Sequence, residues 1–96
     1  MLSQIPLNLQ KVNKDTLDKE ILRVGIIAEL DAVSLYEQLA AMTEDNDIKM
    51  VLMDIAKEEK THVGEFQALL LQRDKQQVQE LQKGKKEVDE KTERKS

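Results

Sequence analysis

The stretch Glu59-Lys60-Thr61-His62 decides how this sequence folds and what it can bind. Glutamate and histidine three residues apart lie on the same side of a helix, and this E-x-x-H spacing recurs in helical carboxylate metal sites. Apolar residues continue that side in both directions at four- and three-residue steps, which predicts a buried seam on an amphipathic helix. They are Ile48, Leu52, Ile55, Phe66 and Leu69. A carboxylate within an apolar seam is costly unless it is paired, so Glu59 requires a partner.

The composition is typical of one all-α domain. The chain has 96 residues, two of them aromatic and none of them cysteine, with a net charge of -4. The lack of cysteine excludes disulfides and thiolate-bound metals, and the mixed charges argue against a nucleic-acid partner. No run of 18 apolar residues occurs, so no membrane-spanning helix is expected. The first residues lack the pattern of a signal peptide, which predicts a cytoplasmic protein.

A first long helix is predicted from about Thr16 to Met42, with Asp15 as its N-cap. Its seam also contains a carboxylate, Glu29, among apolar or aromatic residues. Those residues are Leu22, Ile26, Val33, Tyr36 and Ala40. Gly25 is unfavourable in a helix, and we interpret it as a point of close approach between helices.

A polar turn at residues 43–47 is rich in capping residues and short enough to make the two long helices antiparallel neighbours. The second helix is predicted from about Asp47 to Gln72. Three methionines, Met42, Met50 and Met53, are interpreted as gap-filling core residues. Asp74 is a candidate N-cap for a short third helix at 75–83.

Three parts are therefore expected along the chain. Residues 1–13 form an irregular N-terminal arm, since Pro6 interrupts any helical period. Residues 14–83 form the helical hairpin domain. Residues 84–96 are almost all charged or polar, which predicts a disordered tail or linker.

Glu29, Glu59 and His62 should lie at the same height of the hairpin, because they stand at similar distances on either side of the turn. Di-iron carboxylate bundles use two lone glutamates and two Glu-x-x-His steps from four helices, and this chain supplies half of that set. Two copies related by a two-fold axis would complete both a four-helix bundle and the ligands. Four carboxylates and two neutral imidazoles would then balance two divalent ions. Iron, manganese and zinc all accept such ligands.

Other interpretations remain open for these residues. The polar seam positions could fix the register of a non-enzymatic helical oligomerisation module, in which any metal is structural. Tyr36 lies on the stripe of Glu29, where ordinary packing is slightly favoured over a hydroxyl beside the metal ligands. Asp31 lies off the seam, where a solvated position is the default.

Two segments together resemble the encapsulated ferritins. They are Ile26-Ile27-Ala28-Glu29-Leu30-Asp31-Ala32-Val33-Ser34-Leu35-Tyr36-Glu37 and Glu58-Glu59-Lys60-Thr61-His62. The resemblance covers about residues 17–81 and is closest to archaeal-type members that are joined to an encapsulin shell protein. The combined pattern is specific, whereas E-x-x-H alone is not.

The resemblance implies that Glu29, Glu59 and His62 bind iron, with Glu59 bridging two ions in a centre formed between two chains. It implies that Tyr36 lies near this centre. Asp31 matches one of the two acidic residues on the family's path for incoming iron, but Ala28 stands at the other position. This sequence therefore matches the family's path for incoming iron only in part.

The resemblance also implies a function and an assembly. Family members oxidise Fe(II) with dioxygen at a di-iron centre, commonly form rings of five dimers, and lie in the lumen of an encapsulin compartment that stores the iron. Separate cargo proteins usually carry an apolar docking peptide at the C-terminus. Residues 83–96 contain nothing of that kind, which suggests a piece of a shell fusion or another means of targeting.

Overall fold

The computed structural model describes residues 14–92, and within them the chain is all-α. Three helices follow one another: α1 (Lys14–Met42), α2 (Asn46–Leu71) and α3 (Lys75–Lys91). No strand occurs in this part of the chain, which confirms the predicted fold class. The predicted arm at 1–13 lies outside the described residues. Among the described residues, no helix is long and apolar enough to cross a membrane.

The first two helices form the predicted antiparallel hairpin. Thr43 begins the short connection, where its Oγ1 accepts a hydrogen bond from the Asp45 backbone N–H at 3.2 Å. Asp45 then caps α2, because its carboxylate accepts a hydrogen bond from the Ile48 backbone N–H at 3.0 Å. A side-chain cap of this kind satisfies one of the free N–H groups at a helix start.

The hairpin core is thin. The buried apolar residues of the described part are Leu22, Val33, Ala40, Ala56 and Leu70. Ala40 and Ala56 are 2% and 1% exposed, and their small side chains allow α1 and α2 to pack closely. No large side chain among the described residues is completely buried. Two helices therefore enclose too little apolar surface to stabilise a chain of this size well on their own.

The predicted seam of α2 is only partly covered within one chain, which corrects the sequence interpretation. Ile48 and Leu69 are 51% and 42% exposed. The methionines interpreted as core are also exposed: Met42, Met50 and Met53. The reason is geometric, because one neighbouring helix covers only a narrow stripe, whereas the apolar arc predicted for these helices is wide. This apolar surface is available to a partner.

A polar contact fixes the start of α3 against α1. Asp74 is the N-cap of α3, as predicted, and accepts a hydrogen bond from the Gln77 backbone N–H at 3.0 Å. Its other oxygen accepts one from Arg23 at 3.0 Å, and Arg23 also pairs with Glu20 at 2.7 Å. The Gln77 hydrogen bond is the main cause that lowers the pKa of Asp74, with the positive charges of Lys19 and Arg23 acting in the same direction.

Two helix ends differ from the sequence prediction. The helix α3 passes through Gly84 and ends at Lys91, beyond the predicted end at residue 83. An ion pair between Lys85 and Asp89 at 2.9 Å joins successive turns of this extension, which is the spacing that stabilises helices. At the other end, α1 already includes Asp15, which is therefore not its N-cap. The difference at the start of α1, from about Thr16 to Lys14, is within the one or two residues by which helix ends commonly vary.

Candidate metal centre

The hairpin brings together the three residues that the sequence singled out. Glu29 lies on α1, while Glu59 and His62 lie one turn apart on α2. One potential ligand atom from each lies within 4.8 Å of the others. The Nδ1 atom of His62 is 3.5 Å from Glu29 Oε2 and 3.4 Å from Glu59 Oε2. The predicted matching heights of these residues are therefore confirmed, and their role as ligands stays a prediction.

The environment of Glu29 Oε2 is unusual for a carboxylate oxygen. This atom is buried and has no hydrogen-bond partner, since the contact of 3.5 Å with His62 is too long for a good hydrogen bond. Leaving a buried acceptor unsatisfied costs about 1–3 kcal/mol. A carboxylate oxygen that is desolvated and unpartnered beside a second carboxylate is well suited to a bound cation.

The donor set fits a divalent transition metal. Carboxylate oxygen and imidazole nitrogen bind such ions at about 2.0–2.2 Å, so two ligands on one ion lie at most about 4.4 Å apart. Ligand atoms within 4.8 Å of each other would need to move closer by at most about 0.4 Å to reach this geometry. Three protein ligands leave further coordination positions to be filled, as a half-site would. The fit holds for iron, manganese and zinc.

The centre lies at the wall of an open depression of about 300 Å³. Glu29 and His62 form part of its lining, together with Glu65, Phe66 and Leu69. The lining of this depression is thus polar at the candidate ligands and apolar beside them. Neither Glu65 nor the Phe66 ring was predicted from the sequence to lie at this centre. Their positions three and four residues after His62 nevertheless place them on its side of α2.

Two other predicted residues stand apart from this cluster. Asp31 is buried, with 8% of its surface exposed, so the solvated position expected by default is wrong. Because Asp31 follows Leu22 by nine residues, it lies on the opposite side of α1. The apolar period of the seam therefore does not predict that Asp31 is buried. Tyr36 is half-buried on the α1 stripe. Neither belongs to the group of three potential ligands, and their roles near the centre stay predictions.

An ion pair joins the two helices near the centre. Lys60, which follows Glu59, pairs with Glu37 on α1 at 3.0 Å. Both side chains are more than 40% exposed, and exposed pairs contribute about 0–1 kcal/mol. We therefore assign this pair a minor role in stability.

A solved structure has the same fold as this chain. The crystal structure of the encapsulated ferritin domain from Pyrococcus furiosus matches with a TM-score of 0.84 and 49% sequence identity, and the match covers 100% of both chains. The predicted architecture of an encapsulated ferritin domain is confirmed by this likeness.

Two curated proteins are similar in sequence. The ferritin-like-encapsulin shell fusion protein of Pyrococcus furiosus is 59% identical over 73 residues, which are 76% of this chain and 21% of that protein. The encapsulin nanocompartment cargo protein EncC of Myxococcus xanthus is 35% identical over 64 residues, 67% of this chain and 49% of that protein. This chain thus spans about a fifth of the first relative and about half of the second.

A family model matches nearly the whole sequence. It describes the EncFtn-like family and covers residues 5–90, which include all three helices except the last residue of α3. This match agrees with the resemblance that the residues around Glu29 and His62 indicated. The chain is a member of the EncFtn-like family.

Proposed function

We propose that this protein is a ferroxidase, which oxidises Fe(II) to Fe(III) with dioxygen at a di-iron centre shared between two copies. The observation that supports this most strongly is the cluster of Glu29, Glu59 and His62, with a buried carboxylate oxygen that has no partner. One lone glutamate and one Glu-x-x-His step are half of the ligand set of a di-iron carboxylate bundle. Two chains supply the whole set.

The exposed surface supports the same stoichiometry. The hairpin leaves Leu69 42% exposed beside the candidate ligands, and its core contains few buried side chains. A second hairpin placed over this side would cover apolar surface and bring a second set of ligands to the first. Association of two chains would therefore supply both the missing metal ligands and the missing cover for the exposed apolar surface.

The protein residues have separate parts in the proposed reaction. With two Fe(II) ions bound as substrate, the centre would pass one electron from each ion to dioxygen, which with two protons from water would give two Fe(III) and one hydrogen peroxide. By analogy with the family, Glu59 would be shared between the two ions, while Glu29 and His62 would each hold one of them. Once a second hairpin covers it, the apolar wall formed by Phe66 and Leu69 would limit water at the centre and strengthen the attraction between carboxylates and cations.

The proposed setting is an encapsulin compartment in the cytoplasm, with Fe(III) released into its lumen for storage. The support comes from the relatives, one of which is a ferritin-like-encapsulin shell fusion and the other an encapsulin cargo protein. We propose a ring-shaped decamer of five dimers as the assembly. An open ring has no closed cavity of its own, so a surrounding shell is needed to retain the mineral.

Substitution of the bridging residue tests the function. Glu59→Ala removes a ligand from both halves of the proposed centre and should abolish aerobic iron oxidation, with the helical circular dichroism retained. Glu58→Ala is the matched control, because Glu58 is the exposed neighbour on the same helix. Oxidation by Glu59→Ala at the rate of the unchanged protein would show that the ligands are assigned wrongly.

The alternative function is a non-enzymatic oligomerisation module with a structural metal, and the thin core supports it equally. Oxygen uptake separates the two proposals. A ferroxidase consumes oxygen with each addition of Fe(II), whereas a structural site binds the ion without consuming oxygen above the rate in buffer.

A further inference from the structure

Gly25 on α1 lies directly against the ring of Phe66 on α2. A Cβ atom placed on Gly25 would be 3.2 Å from Phe66 Cδ2 and Cε2 and 3.3 Å from Cδ1. Such distances are shorter than ordinary van der Waals contact between carbon atoms, which begins near 3.5 Å. The ring thus occupies the space that the side chain of any other residue would need.

This contact lies one helical turn from the candidate metal centre. Gly25 precedes Glu29 by four residues, and Phe66 follows His62 by four residues. Because the helices are antiparallel, both steps lead to the same end of the centre, about 6 Å along the hairpin. Phe66 also lines the depression at which Glu29 and His62 lie.

We propose that Gly25 and Phe66 together set the spacing of α1 and α2 at the metal centre, and thereby act as positioning residues for Glu29 and His62. The proposal rests on the proposed function, since it assigns a role around the same centre. Without a side chain at residue 25, the Phe66 ring of α2 lies directly against the backbone of α1. Glu29 and His62 then reach across the hairpin to within 3.5 Å.

The size of the effect follows from two lengths. A Cβ at residue 25 would require the ring or the helix to shift by a few tenths of an ångström to restore ordinary contact. Metal–ligand distances in functional sites stay within about 0.2 Å of their preferred values. Since a helix is stiff over one turn, a shift at Gly25 carries over to Glu29. The expected displacement therefore matches or exceeds the tolerance of the centre.

The test compares two glycine substitutions. Gly25→Ala adds a methyl group against Phe66, whereas Gly64→Ala adds one where nothing lies within 4 Å. Both replace a helical glycine by a better helix former, so a merely structural effect on the helices would be similar. The probe is Co(II), titrated anaerobically and followed by its visible absorption, with circular dichroism to report helix content.

We expect Gly25→Ala to bind Co(II) about tenfold more weakly, as when groups that orient metal ligands are altered, and to change the Co(II) absorption. Helix content should be retained, and Gly64→Ala should match the unchanged protein. In Gly25→Ala/Phe66→Leu the smaller side chain makes room for the methyl group, so this double variant should bind as tightly as Phe66→Leu alone. If Gly25→Ala alone fails to fold, the comparison of the double variant with Phe66→Leu still tests the positioning role.

Two results would overturn the positioning role. One is Gly25→Ala binding Co(II) with the affinity and spectrum of the unchanged protein. The other is a double variant that binds more weakly than Phe66→Leu by the factor seen for Gly25→Ala alone. If the unchanged protein binds no Co(II) at all, the proposed metal centre itself is wrong, and the positioning role with it. If the unchanged protein binds Co(II) and Gly25→Ala binds it equally well, only the positioning role is wrong.

Discussion

Replacing Glu29 by leucine should stabilise the metal-free protein and abolish its response to metal. Glu29 Oε2 is buried without a hydrogen-bond partner, and such an acceptor costs about 1–3 kcal/mol. Leucine has a similar size, no polar atom, and fits an apolar seam. The free energy of unfolding without metal should therefore rise by about 1–3 kcal/mol. For a domain of this size, each kcal/mol corresponds to about 4–8 °C in the melting temperature.

The response to metal should distinguish the two proteins. A ligand at 100 times its dissociation constant stabilises the folded protein by about 2.7 kcal/mol. The unchanged protein should gain this amount, and Glu29→Leu should gain almost none. The assay is thermal unfolding by circular dichroism in EDTA and in excess Zn(II), at one fixed protein concentration because association also affects the melting temperature.

A matched control separates the buried carboxylate from a general loss of charge. Glu58→Leu removes an exposed carboxylate from α2 and should change stability by no more than about 0.5 kcal/mol, with the response to metal intact. The reasoning is refuted if Glu29→Leu lowers the melting temperature in EDTA, or if Zn(II) stabilises it as much as it stabilises the unchanged protein.

Two further predictions concern the hairpin and its junction with α3. The lowered pKa of Asp74 means that its ionised form stabilises the fold above the pKa of the unfolded chain, about 3.9, and that this contribution disappears as the pH falls below that value. Asp74→Asn keeps a capping side chain but loses the charge, so its melting temperature should lie below that of the unchanged protein at pH 7. The difference should shrink as the pH falls below about 3.9, and a difference that stays constant as the pH is lowered would contradict the assignment. Ala56→Leu should destabilise the hairpin by about 1–3 kcal/mol through overpacking, since Ala56 is 1% exposed. The control is Ala41→Leu, which changes an exposed position and should be nearly neutral. Urea denaturation measures both variants. Equal effects of the two alanine substitutions would disprove the close packing at Ala56.

The sequence predicted the hairpin and the cluster because both depend on spacing along helices. A helical period places Glu29 on one stripe and Glu59 with His62 on the other, and a short turn then brings the stripes to the same height. Gly25 was interpreted as a point of close approach between helices, and the Phe66 ring of α2 lies directly against it. None of these inferences requires knowledge of distant contacts.

The errors arose where burial depends on more than one helix pair. Ile48 and the methionines were assigned to a core that one hairpin does not enclose. Asp31 is buried on the side of α1 away from the seam, where the apolar period carries no information. The length of α3 was underestimated because charged residues were taken to indicate disorder, although Lys85 and Asp89 have the i,i+4 spacing that supports a helix.

The central claim is that one metal centre requires two chains. Native mass spectrometry over a range of protein concentrations, with Zn(II) in place of iron to avoid oxidation, tests it most directly. We predict that metal is carried by species with an even number of chains, two ions for each pair, and that metal shifts the population from single chains to pairs. Single chains that carry Zn(II) while pairs form equally well without it would contradict the claim.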